Sequence, residues 1–352
     1  MPTTASTWSD LLPLAATLAL VFLLSLAGTG ALARLLHRRG ILDRPNERSS
    51  HSDPTPRGGG LAIVGALLLG WPLLLLWQGG APPAGLWIIW SGALLLAAIS
   101  FVDDLVSLGA APRFAAQIVA VAAGLALLDG PGGGVGPVFQ GLLPFWLDRL
   151  LAGLAWLWFV NLYNFMDGID GITGVESAGL GIGIALLFGL GGALLPAGLA
   201  LLIAAAAVGF LAWNWQPARI FMGDVGSVPL GFLLGWLLLL AAAEGQWAAA
   251  LILPAYYWCD ATITLLRRAA RRERVWRAHR EHFYQRAVQR GLSHAAVARL
   301  IGFVDAGLIV LALLAGRLGP WTALAAAALL VAWLLRRLAR GRARQAGAGQ
   351  HA

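Results

Sequence analysis

Five aspartates carry the chemistry to be read from this chain. Asp103 and Asp104 are adjacent, Asp167 and Asp170 lie three apart, and Asp224 sits in the run Phe221-Met222-Gly223-Asp224-Val225-Gly226-Ser227. Neighbouring carboxylates repel and titrate together unless a cation neutralises them. Alone, such a pair is as often two solvated residues at a helix end. A carboxylate framed by glycines just before a helix suits magnesium, which takes one or two carboxylates and leaves its other positions to water and phosphate oxygens. The helix start that follows can also receive phosphate. Asn161, Asn164, Asp167 and Asp170 recur every third residue, which makes neighbours of each pair on a helix while the whole set drifts around it. One regular helix cannot aim all four at one point, and Gly168 and Gly171 provide the expected break.

Two polar connectors have phosphate-compatible composition. The first runs from Asp43-Arg44-Pro45-Asn46-Glu47-Arg48 through His51 to Pro54-Thr55-Pro56-Arg57-Gly58-Gly59. The second holds ten arginines between Arg267 and Arg299, together with His279, His282, Tyr284, Gln285 and His294. A basic stretch of this kind commonly rests on anionic lipid headgroups. Histidines three apart can instead share a face and contact a phosphate, with nearby arginines gripping its oxygens.

The elements that must position these residues are membrane spans. Hydrophobic residues make up 59% of the 352 and charged residues 12%, far from a globular balance. A single cysteine, Cys259, excludes a disulfide scaffold. With about 20 apolar residues per crossing, eleven spans are expected, at 11–33, 60–78, 84–102, 113–129, 148–163, 172–190, 193–213, 227–243, 246–266, 297–315 and 319–335. The fold class is therefore all-α, a polytopic bundle read as one domain over 1–335, with a basic, disordered tail at 336–352. Loops 34–59, 103–112, 164–171, 214–226 and 267–296 are expected on one face. Residues 130–147, with Gly130, Pro131 and the glycines at 132–134, form an opposite loop.

The net charge of +8 comes from arginine without lysine. Of 25 arginines, 23 fall in alternate connectors, leaving Arg149 and Arg317 opposite. This distribution speaks for membrane topology and against nucleic acid. The positive-inside rule places those connectors and the C-terminus in the cytoplasm and the N-terminus outside. The first span, with no arginine before it, is expected to stay as an anchor. All five aspartates fall on the arginine-rich side, an independent convergence on one face.

Taken together, the D-x-P-x-x-R-x-x-H-x-x-P-T-P-R-G-G segment at 43–59, Asp103-Asp104, N-x-x-N-x-x-D-G-I-D-G at 161–171, the Phe221 to Ser227 run and the histidine motif at 279–285 resemble the polyprenyl-phosphate N-acetylhexosamine-1-phosphate transferases. The resemblance covers nearly the whole chain. It implies transfer of a sugar 1-phosphate from a UDP-sugar to undecaprenyl or another polyprenyl phosphate, giving polyprenyl diphosphate sugar and UMP, with magnesium, or manganese in its place. It further implies a multi-pass enzyme of the bacterial inner membrane that initiates O-antigen or another surface polysaccharide; a homodimer is a further expectation. By the resemblance, Asp103 is the base or phosphate-orienting carboxylate, Asp104 its metal-linked neighbour, and Asp167 a supporting carboxylate. Asn164 and Asp224 are magnesium ligands. Arg57, Gly168, Ile169, Asp170, Asn214 and Phe221 are expected at the substrate, with Phe221 stacked on uracil. His279, Arg280 and His282 are the diphosphate and sugar contacts.

Many relatives carry His-x-His-His in the last motif, where this chain has His282 followed by Phe283, Tyr284 and Gln285. The variant resembles a subgroup that starts chains on less common sugars such as N-acetylfucosamine. If Phe283 and Tyr284 border the hexose, an N-acetylated 6-deoxy donor is expected to react faster than UDP-N-acetylglucosamine, within the ~1–3 kcal/mol that one such contact provides. The rival reading is an ion-coupled secondary transporter, whose acids would lie near the midplane on repeated, broken helices. Only Glu176, Asp260 and Asp305 fall inside spans: Asp260 and Asp305 read as buried polar pairings, and Glu176 as bordering the site.

Overall fold

A computed structural model describes residues 8–43, 45, 53–77, 84–106, 108–127, 136–275 and 279–340. Arg44, Asn46, Glu47, Arg48, His51, the glycines at 132–134 and the tail from 341 lie outside the described residues. The elements are α1 (Trp8–Arg38), α2 (Gly60–Trp77), α3 (Ala84–Val106), α4 (Ala110–Leu127), α5 (Phe145–Phe165), α6 (Ile172–Leu190), α7 (Leu194–Asn214), α8 (Asp224–Ala241), a π-turn (Ala242–Gln246), α9 (Trp247–Ile252), α10 (Ala255–Ala270), α11 (Phe283–Gln289), α12 (His294–Leu318) and α13 (Pro320–Arg340). Apolar runs become helices because in lipid every backbone N–H and C=O must be satisfied within the chain. Among the described residues the only extended pairings are two isolated bridges, Asp43 to Thr55 and Arg57 to Phe221. The protein is a multi-pass membrane helix bundle.

Nine helical stretches among the described residues are long and apolar enough to cross a bilayer, and Ala110–Ala126 is a shorter apolar one. One of the nine, Asp224–Ile252, contains a reversal. Gly245 has φ 90 within the π-turn, a left-handed conformation natural to glycine. Phe159 of α5 meets both sides of it: a Cβ on Gly235 would sit 3.0 Å from its ring, and the Trp258 ring centroid is 6.0 Å away. In a straight helix Gly235 and Trp258 would stand roughly 35 Å apart at about 1.5 Å per residue. The eighth and ninth expected spans are thus separate, antiparallel passes, as the sequence reading has them. The ninth is interrupted at Leu253-Pro254, where proline cannot continue the helix.

Several boundaries differ from the sequence reading. Asp103 and Asp104 belong to the last turns of α3, not to the connector, and α8 already begins at Asp224. Connector 267–296 contains its own helix, α11, and Arg336 to Arg340 prolong α13 where a tail was expected. Carboxylates and guanidiniums at a helix end can stay hydrated while the backbone remains helical, so polarity alone marks the boundary too early.

α8 is the axis of the bundle: 94% of the apolar window in Asp224–Ile252 is buried, against 22% for α1 and 33% for α13, which face lipid. The helix ends that meet Asp224 therefore meet at the centre of one end of the bundle. At the other end, the Gln140 side-chain amide donates to the Ala242 carbonyl at 2.7 Å, and Trp247 packs on Trp321. There Asp148 takes the Val138 and Phe139 N–H groups and pairs with Arg149.

Candidate active site

The site is assembled by the close approach of α2 to α8. A Cβ on Gly60 would lie 2.3 Å from the Gly226 Cα, so only paired glycines allow the contact. The N–H groups of Gly58 and Gly59 donate to the Phe221 carbonyl, and that of Gly60 to Met222. This docking fixes Arg57 over the start of α8. Its Nη2 lies 2.5 Å from Asp224 Oδ1 and 3.3 Å from Asp104 Oδ1. Arg113, from the first turn of α4, lies 2.7 Å from Asp103 Oδ2 and 3.3 Å from Asp224 Oδ2. Three carboxylates from two helices therefore share two guanidiniums. The aspartate side chains are 11–15% exposed and the arginines 39–42% exposed, so the acids line the floor and the cations the rim. Burial works against the charge of Arg57, but Asp224, Asp104, Asp43 and Asp167 outweigh it and lift the guanidinium above its ordinary value.

Asp104 and Asp224 converge on one cationic atom, a donor set of two carboxylates that suits a magnesium ion completed by water and phosphate oxygens. Among the described residues no group of three or more His, Cys, Asp or Glu is placed to hold a metal ion. The side chain of Asn164 is partly buried at the end of α5, and the Asn164 backbone carbonyl accepts the Asp167 N–H at 3.1 Å. No contact ties it to the two carboxylates.

The break between α5 and α6 falls where the glycines place it: α5 ends at Phe165, and Gly171, with φ 79, precedes α6. Asp167 accepts the Thr173 hydroxyl at 2.6 Å. Burial raises its carboxyl to about 6, more than that hydrogen bond and Arg57 lower it. Asp170 and Asn214 join the two polar turns. Both are nearly buried, at 7% and 4% exposure. Asp170 Oδ2 accepts the Ala218 N–H and Oδ1 lies 3.1 Å from His294 Nδ1. Asn214 accepts the Gly171 N–H and donates to the Ile220 carbonyl, both at 2.9 Å. They brace the two polar turns against each other. Ile169 points into the core, Phe221 is partly exposed beside Arg57, and Asn161 bonds to Gln117 rather than joining the acids.

The histidine connector is anchored from the membrane side. Asp260, fully buried in α10, lies 3.2 Å from His282 Nδ1 and accepts the N–H groups of Phe283 and Tyr284. His279 stacks near His282 with centroids 4.8 Å apart. Burial, His282 and Arg268 lower the His279 imidazole to about 4, so it is neutral near pH 7. Arg280 is exposed. His282 is 2% exposed, and Phe283, Tyr284 and Gln285 are also buried. The Tyr284 hydroxyl donates to the Phe165 carbonyl, and Gln285 Oε1 accepts the His282 N–H. Phe283 and Tyr284, the aromatic edge expected against the hexose, are thus packed inside the fold.

Two cavities flank α5. One of about 330 Å³, between α4, α5 and α10, is lined by Phe114, Leu154, Leu157, Trp158, Asn161, Phe165, Leu265 and Val275. Phe114 follows Arg113 directly, so this apolar groove opens beside the charged cluster. The larger, about 500 Å³, lies toward the opposite end among Trp156, Trp247, Trp258 and Trp321, with no titratable lining residue.

Sequence reasoning missed Arg113, which counted only toward topology, and Thr173, and it named His294 without its partner Asp170. It also missed Glu281, which lies 3.5 Å from Arg268, 2.5 Å from Arg271 and 3.1 Å from Arg286 and so folds the basic connector on itself. Acids inside the arginine-rich run were the available signal. Glu176, three residues beyond Thr173 on α6, is buried beside Asp305 of α12, and among the described residues their carboxyl oxygens have no hydrogen-bond partner outside the pair.

The family model described as "Glycosyl transferase family 4" matches residues 86–242. A Bacillus subtilis protein named "Probable undecaprenyl-phosphate N-acetylglucosaminyl 1-phosphate transferase" is 30% identical over 78% of this chain and 78% of its own length. A Mycobacterium tuberculosis decaprenyl-phosphate N-acetylglucosaminephosphotransferase is 32% identical over 78% of this chain and 75% of its own. A Corynebacterium jeikeium phospho-N-acetylmuramoyl-pentapeptide-transferase is 27% identical over 62% of this chain and 74% of its own.

Proposed function

Because this chain belongs to glycosyl transferase family 4, among the polyprenyl-phosphate N-acetylhexosamine-1-phosphate transferases, we propose that it transfers an N-acetylated hexose 1-phosphate from a UDP-sugar to a polyprenyl phosphate. The observation that carries this is the meeting of Asp103, Asp104 and Asp224 with Arg57 and Arg113 at one end of an apolar bundle, beside a groove fit for a prenyl chain.

In the proposed reaction an acceptor phosphate oxygen bonds to the β-phosphorus of the donor. The bond from that phosphorus to the bridging oxygen breaks, and UMP leaves with the electron pair. Asp103 orients the acceptor phosphate and takes its proton where that phosphate arrives singly ionised. Arg57 and Arg113 exchange carboxylate for phosphate oxygens, offsetting charge that two phosphorylated substrates bring to one place. Asp104 and Asp224 would hold the magnesium ion, which supplies Lewis-acid neutralisation of the diphosphate. Asp167, Gly168 and Phe221 form the nucleotide side, with Asp170 and Asn214 supporting it from behind. His279 and Arg280 are the groups of the histidine connector left to face the sugar diphosphate.

The two phosphotransferase relatives above carry N-acetylglucosamine in their names, whereas the Tyr284-Gln285 variant resembles a subgroup using rarer sugars; both donor types belong in the test. The site end is cytoplasmic in this proposal, with the product starting a cell-surface polysaccharide such as O-antigen. Purified protein in vesicles with polyprenyl phosphate and magnesium is expected to form lipid-linked sugar from at least one UDP-N-acetylhexosamine of a panel that includes 6-deoxy donors. Asp224→Asn should retain insertion and lose most of this activity. Full turnover by that variant at limiting magnesium would remove Asp224 from the metal-binding role.

A further inference from the structure

Asp260 is a carboxylate buried in a membrane-spanning helix that takes hydrogen bonds from outside its own helix. Its side chain is fully buried. Within α10 it takes the Tyr256 hydroxyl at 3.1 Å and the Thr264 hydroxyl at 3.3 Å. From the connector it takes the N–H of Phe283 at 3.0 Å and of Tyr284 at 3.3 Å, and its Oδ1 faces His282 Nδ1 at 3.2 Å. A carboxylate in apolar surroundings is costly unless its lone pairs are met. Here they are met largely by the segment that carries His279 and Arg280.

The same contacts reach the nucleotide side of the site. Tyr284, held through its N–H by Asp260, donates its hydroxyl to the Phe165 carbonyl at 3.1 Å, and a Cβ on Gly168 would come within 2.2 Å of that hydroxyl oxygen. The turn carrying Asp167 thus rests on Tyr284, and Tyr284 rests on Asp260. A carboxylate opposite Nδ1 also favours the proton on that nitrogen, leaving Nε2 of a neutral His282 as an acceptor. His282 in turn backs the His279 ring.

We propose that Asp260 is a positioning residue for the transfer reaction: from inside the membrane it fixes the His279–His282 connector and, through Tyr284, the Asp167–Gly168 turn, so that the two walls of the donor site keep one spacing. This rests on the transferase reading above. Asp260 touches no substrate, so its loss should act on donor binding rather than on acceptor binding.

The test compares the full-length protein with Asp260→Asn, Tyr284→Phe and the double variant Tyr256→Phe/Thr264→Val, all in vesicles. Asp260→Asn places an amide where two N–H groups now donate. It is expected to raise KM for the UDP-sugar roughly tenfold or more, as displacement of a site wall does, with KM for polyprenyl phosphate unchanged. Trypsin should cut the arginine-rich connector faster. Tyr284→Phe, which keeps the packing, should shift donor KM in the same direction by less. Tyr256→Phe/Thr264→Val removes only the donors within α10 and should leave donor KM as it is. Equal effects on both substrates, or an opened connector with unchanged donor KM, would overturn the proposal; so would unchanged protection and unchanged KM. If Asp260→Asn does not insert, Tyr284→Phe decides by the same KM comparison. Absence of any sugar 1-phosphate transfer by the wild type overturns the transferase reading itself, while trypsin protection still reports whether Asp260 holds the connector.

Discussion

Asp224 meets two guanidiniums at once, and that double contact explains why Arg113 matters although nothing in its local sequence marks it. Arg113→Ala should leave Asp103 and Asp224 facing each other without a shared cation and lower kcat/KM by about a hundredfold, the scale for losing one preorganised charge from a phosphoryl-transfer site; Arg113→Lys should recover part of it. Steady-state kinetics of the two variants check this, and wild-type kcat/KM in Arg113→Ala would confine the residue to topology. Asp167 gives a pH signature. Burial holds its carboxyl at about 6 instead of the ordinary 3.8, so the folded protein keeps a proton that the unfolded chain has released. Its contribution to stability is therefore complete below 3.8 and is lost as pH rises toward about 6. Asp167→Asn should flatten that part of the pH dependence of thermal unfolding; an unchanged slope would show that Asp167 does not cause it. The aspartates themselves were legible because they recur in polar runs beside apolar spans. Their partners were not, because Arg57 and Asp224 are 167 residues apart in sequence and only the Gly60–Gly226 contact brings them together.

The elements were legible to the extent that composition alone dictates them. Apolar runs gave every long helix, and Glu244-Gly245-Gln246 between two such runs marked the reversal that Gly245 makes. Helix ends were misplaced where charged residues continue a helix, as at Asp103-Asp104 and Arg336 to Arg340. Burial of His282, Tyr284 and Gln285 was hidden, since their surroundings are supplied by Asp260 and Phe165 on other helices. The pairing of α6 with α12 carries its own prediction. Glu176 and Asp305 bring two buried carboxyl groups together with no partner outside the pair among the described residues, so they hold together only by sharing a proton. Glu176→Gln supplies an amide N–H to Asp305 and should raise thermal stability in detergent while leaving transfer unchanged. A clear loss of stability would mean that the pair is held by something other than a shared proton.

At the scale of the whole molecule, the central helix α8 brings one acidic, arginine-lined end of the bundle to a single side of the membrane, the side proposed to be cytoplasmic from the arginine distribution. In a Cys259→Ala background, Glu273→Cys should be shielded from an impermeant thiol reagent in intact cells and modified once the membrane is opened; efficient labelling from outside would reverse the orientation. The central claim is that phosphorus moves together with the sugar. Donor UDP-N-acetylhexosamine labelled in its β-phosphorus, incubated with this protein, polyprenyl phosphate and magnesium, tests it directly. The account predicts label in the organic-soluble lipid with one UMP released for each lipid product, whereas label retained in UDP as the lipid gains sugar, or no labelled lipid from any donor, would contradict it.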